Sequence, residues 1–184
     1  MEKKVNQRIA HTRRLLQKGL LRLLSQQKLE EISVTALCKE AGINRATFYN
    51  HYTSPTALLI EMEQQLVSEL EQLQKAPTSI EDIVCQMEQC FIKLKENAEL
   101  VRILIRYHAD RNLEETIAAT ASYYDKNRLD FSKTKLDGDT VHLVSTFLYA
   151  GSYALVQEWL MHDIQKTPRE IAELTLSIIS KEYL

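Results

Sequence analysis

The sequence has few of the residues that interrupt regular secondary structure. Only four glycines and three prolines occur in 184 residues. An all-β fold needs such residues at many turns, and a dinucleotide-binding turn needs several glycines close together. Their shortage favours an all-α fold and argues against a nucleotide-binding sheet.

Signals for export and for disulfide bonding are also missing. Residues 1–4 are followed by polar Asn6 and Gln7 rather than by the apolar core of a signal peptide. Three cysteines are an odd number, which does not suit a disulfide framework. We therefore expect a cytoplasmic protein with reduced, packed thiols at Cys38, Cys85 and Cys90.

The longest apolar segment that needs testing as a membrane span is residues 140–157. It contains no Asp, Glu, Lys or Arg. It is nevertheless interrupted by polar residues, namely His142, Ser145, Thr146, Ser152 and Gln157. A spanning helix needs about 20 predominantly apolar residues. The segment therefore predicts a helix buried in protein, and we expect no contact with a membrane.

Charge is distributed unevenly along the chain. Residues 1–53 contain ten Lys and Arg against four Asp and Glu, whereas residues 54–184 contain thirteen against twenty-one. A basic first quarter suits a head that faces nucleic acid, and the acidic remainder suits a body that does not. The alternative is that these cations only solvate exposed helix faces.

Residues 32–51 carry most of the functional information. They read I-S-V-T-A-L-C-K-E-A-G-I-N-R-A-T-F-Y-N-H. Ser33 and Asn44 are of the type that caps helix N-termini, and Gly42 can end the first helix in the left-handed conformation. Two short helices joined by such a turn form a helix-turn-helix, whose second helix enters the major groove of DNA. A supporting helix is predicted over about residues 6–27, and its Gly19 predicts a close helix contact.

The outer face of the second helix has chemistry that suits a DNA groove. Phe48 and Tyr52 are predicted to point inward. Arg45 can bond a guanine edge or a phosphate, and small side chains at Ala46 and Thr47 allow close approach. Donors to phosphate are available at Tyr49, Asn50 and His51. The alternative is a short polar helix that is merely solvated.

The motif and its surroundings resemble the DNA-binding domain of the tetracycline-repressor (TetR) family. The resemblance covers about residues 9–69 and rests on Arg14, Leu16, Leu20, Leu24, Leu58 and the core A-G-I-N-R-A-T-F-Y-N-H-Y. It implies an all-helical homodimer on a double-stranded DNA operator. Residues 1–53 would form a three-helix DNA-binding domain, and residues 54–184 a helical linker, effector-binding and dimerisation domain, with about nine helices in total. The DNA contacts it implies are Thr35, Asn44, Arg45, Thr47, Tyr49, Asn50 and His51.

One residue departs from the family pattern. Where the family usually has lysine early in the fourth helix, this chain has Pro55 in H-Y-T-S-P-T. Ser54 as a cap and Pro55 at the first helical position still start a helix well. The departure puts the phosphate contacts in question and leaves the fold intact.

Residues 54–184 are predicted to contain both a hydrophobic core and an effector site. The fourth helix is expected to end near Gln74, and Ser79 to cap a fifth helix with its apolar stripe at Ile80, Ile83, Val84, Met87, Phe91 and Leu94. We assign a small-molecule effector pocket to Met87, Phe91, Leu104, His108, Tyr124 and Phe147. Plain core packing is the alternative for each of these residues, and for Met87 and Phe91 it is the preferred one.

The last two helices are the predicted dimer element. Small residues from 140 onward let another helix approach, and T-P-R-E at 167–170 reads as a capping box that opens the final helix. The predicted interface residues are Val144, Leu148, Gly151, Ser152, Leu155, Trp159, Leu174 and Ile178. Alternatively, both stripes serve only the chain's own core. Residues 158–171 also resemble the subgroup that includes regulators of dihydroxyacetone-kinase operons.

Three functional classes follow. The first is a homodimeric regulator, a repressor released by a small effector. The second is an interaction protein or coactivator of the same fold that acts through a protein partner. The third, an enzyme, is disfavoured because no paired carboxylates, nucleophile triad or phosphate loop occurs. We expect no catalytic residues, no cofactor and no metal, since no histidine pair shows zinc-ligand spacing.

Overall fold

The computed structural model describes residues 2–73, 78–106 and 137–183. These residues form eight α-helices and one 3-10 turn, Leu29–Glu31, with no β-strand among them. The helices are α1 Glu2–Leu24, α2 Val34–Ala41, α3 Arg45–Tyr49, α4 Pro55–Glu71, α5 Ile80–Glu96, α6 Ala98–Arg106, α7 Gly138–Met161 and α8 Pro168–Tyr183. The predicted all-α fold is confirmed.

The chain divides into two compact units, Met1–Gln65 and Leu66–Leu184, and α4 runs from the first into the second. The predicted functional boundary after residue 53 stays a prediction, because compactness does not test what each part binds.

The first helix differs from its predicted bounds. It begins at Glu2, so Asn6 lies inside the helix and does not cap it. It ends at Leu24, three residues early, because the amides of Gln26 and Gln27 both donate to the Leu23 carbonyl. This tight closing turn releases the chain toward the 3-10 turn and α2.

The core of the first unit is built by α1, α2, α3 and the start of α4. Its most deeply buried side chains are Leu16, Leu20, Leu24, Leu37, Phe48 and Leu58. Gly19 lets α1 approach α2 closely, since a Cβ built there would lie 3.2 Å from the Ala41 Cβ and 3.3 Å from its amide nitrogen. The predicted close contact at Gly19 is confirmed.

Replacing Gly19 with leucine should destabilise the first unit by about 1–3 kcal/mol, since the added side chain has to displace the α2 backbone. The measurement is the free energy of unfolding from a urea titration. Gly138→Leu is the matched control, because a Cβ at Gly138 meets no atom within 4 Å. A Gly19→Leu protein as stable as the wild type would contradict the tight contact.

In the second unit α5 packs on α8, and α6 packs on α7. The predicted cap is confirmed, since Ser79 Oγ accepts from the Asp82 amide over 3.0 Å. The capping box is confirmed as well: Thr167 and Glu170 exchange bonds of 2.8 Å and 3.2 Å between backbone amide and side chain. These caps set where α5 and α8 begin.

The predicted stripe of α5 is right except at its first residue. Five of its members are buried: Ile83, Val84, Met87, Phe91 and Leu94. Ile80 is 59% exposed. It is the first residue of α5 and is left open to solvent, so the helical repeat assigned it to the stripe wrongly.

Polar contacts join α7 and α8 to the other helices of the second unit. Arg169 on α8 pairs with Glu81 at 2.7 Å and Glu88 at 3.3 Å, both on α5. Arg102 on α6 donates to the Leu160 carbonyl at the end of α7 over 2.7 Å and pairs with Asp163. The helices that would carry a dimer face are therefore fixed to α5 and α6.

Candidate nucleic-acid interface

A tight turn at Gly42 joins α2 to α3. Gly42 has φ 66° and ψ 29°, the left-handed conformation predicted for it. The Ile43 amide donates to the Cys38 carbonyl over 2.9 Å, and the Gly42 amide to that of Lys39 over 3.3 Å. These two bonds form a Schellman motif, which satisfies the last carbonyls of α2 and redirects the chain.

Gly42→Ala should cost about 1–2 kcal/mol, because an L-residue resists the left-handed conformation. The cost is purely conformational, since a Cβ at Gly42 meets nothing within 4 Å. Asparagine tolerates the left-handed conformation better than alanine does, so Gly42→Asn should lose less stability than Gly42→Ala. Urea titrations of the two variants measure the difference, and equal losses in both would argue against a conformational origin.

Both helices of the motif are capped as the sequence predicted. Ser33 Oγ accepts from the Ala36 amide over 3.1 Å, and Asn44 Oδ1 accepts from the Ala46 amide over 2.8 Å. Phe48 is fully buried, and Tyr49 packs edge-on against it with ring centroids 5.5 Å apart. The short α3 is therefore held from both its start and its inner face.

The predicted DNA-contact residues all keep solvent access. Six are exposed: Thr35, Asn44, Arg45, Ala46, Tyr49 and Asn50. Thr47 and His51 are half-buried. Tyr49 is 53% exposed, a large value for an aromatic side chain in a helix. Arg45 is the one Lys or Arg among these eight residues. The role of each of them on DNA stays a prediction.

Pro55 begins α4, as predicted. Ser54 Oγ accepts from the Ala57 amide over 3.1 Å, and the Ser54 carbonyl accepts from Leu58 over 3.3 Å. Pro55 itself is buried. Proline has no amide proton and no charge. With Pro55 at this position, the start of α4 therefore offers fewer groups to a phosphate than it would with a lysine there.

Exposed cations are distributed over α1, α2, α3 and the 24–29 connection in the first unit. They are Arg8, Arg13, Arg14, Lys18, Arg22, Lys28, Lys39 and Arg45. Arg22 pairs with Glu40 at 3.3 Å and joins α1 to α2. Burial raises the pKa of the Cys38 thiol, whereas the charge of Arg45 acts in the opposite direction, so Cys38 is a neutral packing residue on the buried side of α2.

A polar contact behind α3 was not predicted. The buried Tyr52 hydroxyl donates to Glu61 Oε1 on α4 over 2.8 Å. Burial, and next the hydrogen bond and charge of Glu61, hold the pKa of Tyr52 above its ordinary value, so the hydroxyl remains a donor. Inward-pointing Tyr52 was a correct prediction. No local sequence signal pairs Tyr52 with Glu61, because the contact crosses the turn between α3 and α4.

The predicted effector residues are found in three different settings. Met87, Phe91 and Leu104 are buried in the second unit. His108 and Tyr124 lie outside the described residues. Phe147 is 65% exposed on α7 and so does not line a closed cavity. The pocket as a whole stays a prediction.

The predicted dimer residues also separate. Gly151, Leu174 and Ile178 are exposed, Val144, Ser152 and Leu155 are half-buried, and the side chain of Leu148 is outside the described part. Trp159 is only 3% exposed. Its ring packs on Phe91 with centroids 6.0 Å apart, and Lys95 Nζ lies 5.4 Å from its centroid. Trp159 is therefore a core residue, because its bulk fills the space between α5 and α7.

Comparison with known families decides the identity. Residues 17–62 match the family described as bacterial regulatory proteins, tetR family, and residues 81–181 match the transcriptional regulator C-terminal region. The second match covers more than half of the chain. The chain belongs to the TetR family. The suspected family is confirmed, and TetR-family proteins are DNA-binding transcriptional regulators.

One curated relative is similar to part of the chain. The chain is 36% identical over 70 residues to an uncharacterized HTH-type transcriptional regulator, YxbF, of Bacillus subtilis (strain 168). That match covers 38% of this chain and 18% of YxbF, so it spans less than a fifth of the relative's length.

Solved structures share the TetR fold over nearly the whole chain. The dihydroxyacetone kinase operon activator DhaS has a TM-score of 0.62 at 17% identity, covering 94% of this chain and 96% of DhaS. The SmeT–triclosan complex has a TM-score of 0.65 at 16% identity, covering 91% and 90%. At such low identity the similarity shows the fold alone.

In the described parts of this TetR-family chain, no helix combines the length and the apolar character needed to cross a membrane. Within the same residues, no three His, Cys, Asp or Glu side chains gather where they could hold a metal ion.

Proposed function

We propose that the chain is a cytoplasmic, homodimeric repressor of a palindromic operator that a small-molecule effector releases. The observation that carries the proposal is the outward face of α3, on which Arg45 and Tyr49 are exposed while Phe48 anchors the helix. Half-sites about one helical turn apart, roughly 34–36 Å, would receive the two recognition helices of a dimer.

Exposed apolar side chains on α7 and α8 support dimerisation. Leu143 and Phe147 are separated by one turn on α7, and Leu174 and Ile178 by one turn on α8. All four are exposed within a single chain. Apolar helix faces of this kind are buried when a second copy adds its own two helices to form a four-helix arrangement.

An effector site is proposed for the second unit. Its buried residues Met87, Phe91 and Leu104 offer apolar lining, and SmeT, a protein of similar fold, was solved in complex with triclosan. An apolar effector bound there would repack α5 and α6 and change the separation of the two heads in the dimer. This change is how we expect release from DNA to occur.

The test begins with selection of bound duplexes from a random-sequence pool. We expect an inverted repeat, two chains per duplex by analytical ultracentrifugation, and an affinity that falls steeply with salt because phosphate contacts release counterions. Selection of no sequence, or binding as one chain per duplex, would contradict the proposal.

A second candidate function is that of a coactivator or interaction protein, which has the same fold but acts through a protein partner and does not repress an operator. It is favoured by the likeness to DhaS, which is described as an operon activator, although that likeness shows only a common fold. Activity that requires a purified protein partner, with no duplex preference by the chain alone, would favour it. A duplex preference of the isolated chain would favour the repressor.

A further inference from the structure

A polar chain joins the recognition helix to the two helices that support it. The Tyr52 hydroxyl donates to Glu61 Oε1 over 2.8 Å, and a guanidinium nitrogen of Arg13 lies 3.9 Å from the same oxygen. Tyr52 follows α3, Glu61 lies on the second turn of α4, and Arg13 lies on α1. One carboxylate thus links three parts of the first unit.

The hydroxyl of Tyr52 is not needed for packing. Its buried ring lies against Phe48, with centroids 5.9 Å apart, and against His51, at 6.2 Å. A phenyl ring would make the same contacts. A buried hydroxyl is costly unless it is hydrogen-bonded, and a carboxylate is a stronger acceptor than a neutral group. The bond to Glu61 therefore fixes the Tyr52 ring and, with it, the corner between α3 and α4.

We propose that Glu61 is a positioning residue for DNA recognition. Acting through Tyr52, it orients the end of α3 so that His51 meets the DNA backbone. Arg13 offsets the negative charge of Glu61, which would otherwise weaken the attraction of the basic head for phosphate. The inference rests on the proposed function, since it concerns how the head grips an operator.

The test compares variants on the duplex selected by the wild-type protein. Tyr52→Phe and Glu61→Met should each weaken binding about tenfold, the scale of one hydrogen bond to a charged group. Glu61→Gln keeps a carbonyl acceptor and should recover most of that loss. The double variant Tyr52→Phe/Glu61→Met should bind the duplex no more weakly than whichever single variant has the lower affinity, because both changes remove the same hydrogen bond.

Glu40→Gln is the matched control for charge. Glu40 also belongs to an ion pair of the first unit, with Arg22 at 3.3 Å, but this pair joins α1 to α2 and makes no bond to α3 or Tyr52. Removing its negative charge should change operator affinity by no more than about twofold, as expected for an exposed pair.

A double-mutant cycle that combines His51→Ala with Tyr52→Phe separates a positioning role from a general effect on stability. His51→Ala should weaken binding in the wild type and have a much smaller effect in Tyr52→Phe, at a temperature where hydrogen exchange shows both backgrounds to be folded. Wild-type affinity of Tyr52→Phe, or an equal His51→Ala loss in both backgrounds, would overturn the inference. A wild-type protein that selects no duplex would instead overturn the proposed function, and the inference with it.

Discussion

Phe48→Ala is expected to destabilise the first unit by about 3–5 kcal/mol and to abolish operator binding at physiological temperature. Phe48 is fully buried and is the inner anchor of a helix of only five residues. Removing the ring leaves a cavity and loses the free energy gained by burying the ring. A helix of five residues is not stable by itself, so α3 should unfold once this anchor is gone.

The measurement is a urea titration in which hydrogen exchange is followed on peptides from residues 2–65. Tyr49→Ala is the matched control, since Tyr49 is the next residue on α3 and is largely exposed. It should change the unfolding free energy by no more than about 1 kcal/mol, as expected for a surface substitution. Similar losses in the two variants would contradict the assignment of inner and outer faces.

Arg45→Ala should weaken binding to the selected operator by about 1–3 kcal/mol, or roughly 5- to 150-fold, while random DNA loses much less. The physical reason is that Arg45 is exposed at the first position of α3, where a guanidinium can reach a base edge. Affinity for both duplexes over a range of salt concentrations measures the difference.

Arg45→Lys separates charge from geometry. It keeps the positive charge but loses the planar fork that bonds guanine at two atoms, so random DNA should be bound as in the wild type and the operator more weakly. Equal losses on operator and random DNA in Arg45→Ala would make Arg45 a phosphate contact and remove its base-reading role.

Local signals made the head predictable from sequence. Ser33, Gly42 and Asn44 act through backbone groups no more than five residues apart, so their roles as caps and turn do not depend on the rest of the fold. Phe48 and Tyr52 were assigned inward by helical spacing, and both are buried. The family resemblance then extended the prediction to the body.

Other features depend on contacts that spacing cannot encode. Trp159 was assigned to a dimer face because it follows small residues on α7, yet it fills a space between α5 and α7 within one chain. Phe147 was assigned to a cavity and is exposed. Glu61 was not singled out, because an acid on a helix reads as solvated until its partner is known. Helical repeats show which residues share a face and not what covers that face.

The central claim is that two recognition helices of a dimer dock on one face of operator DNA, and half-site spacing tests it most directly. The measurement is the affinity for the selected inverted repeat with five base pairs inserted between its halves, about half a helical turn. The account predicts a loss to the level of a single half-site, since the second helix would face away from its groove. Unchanged affinity for the lengthened repeat would contradict it.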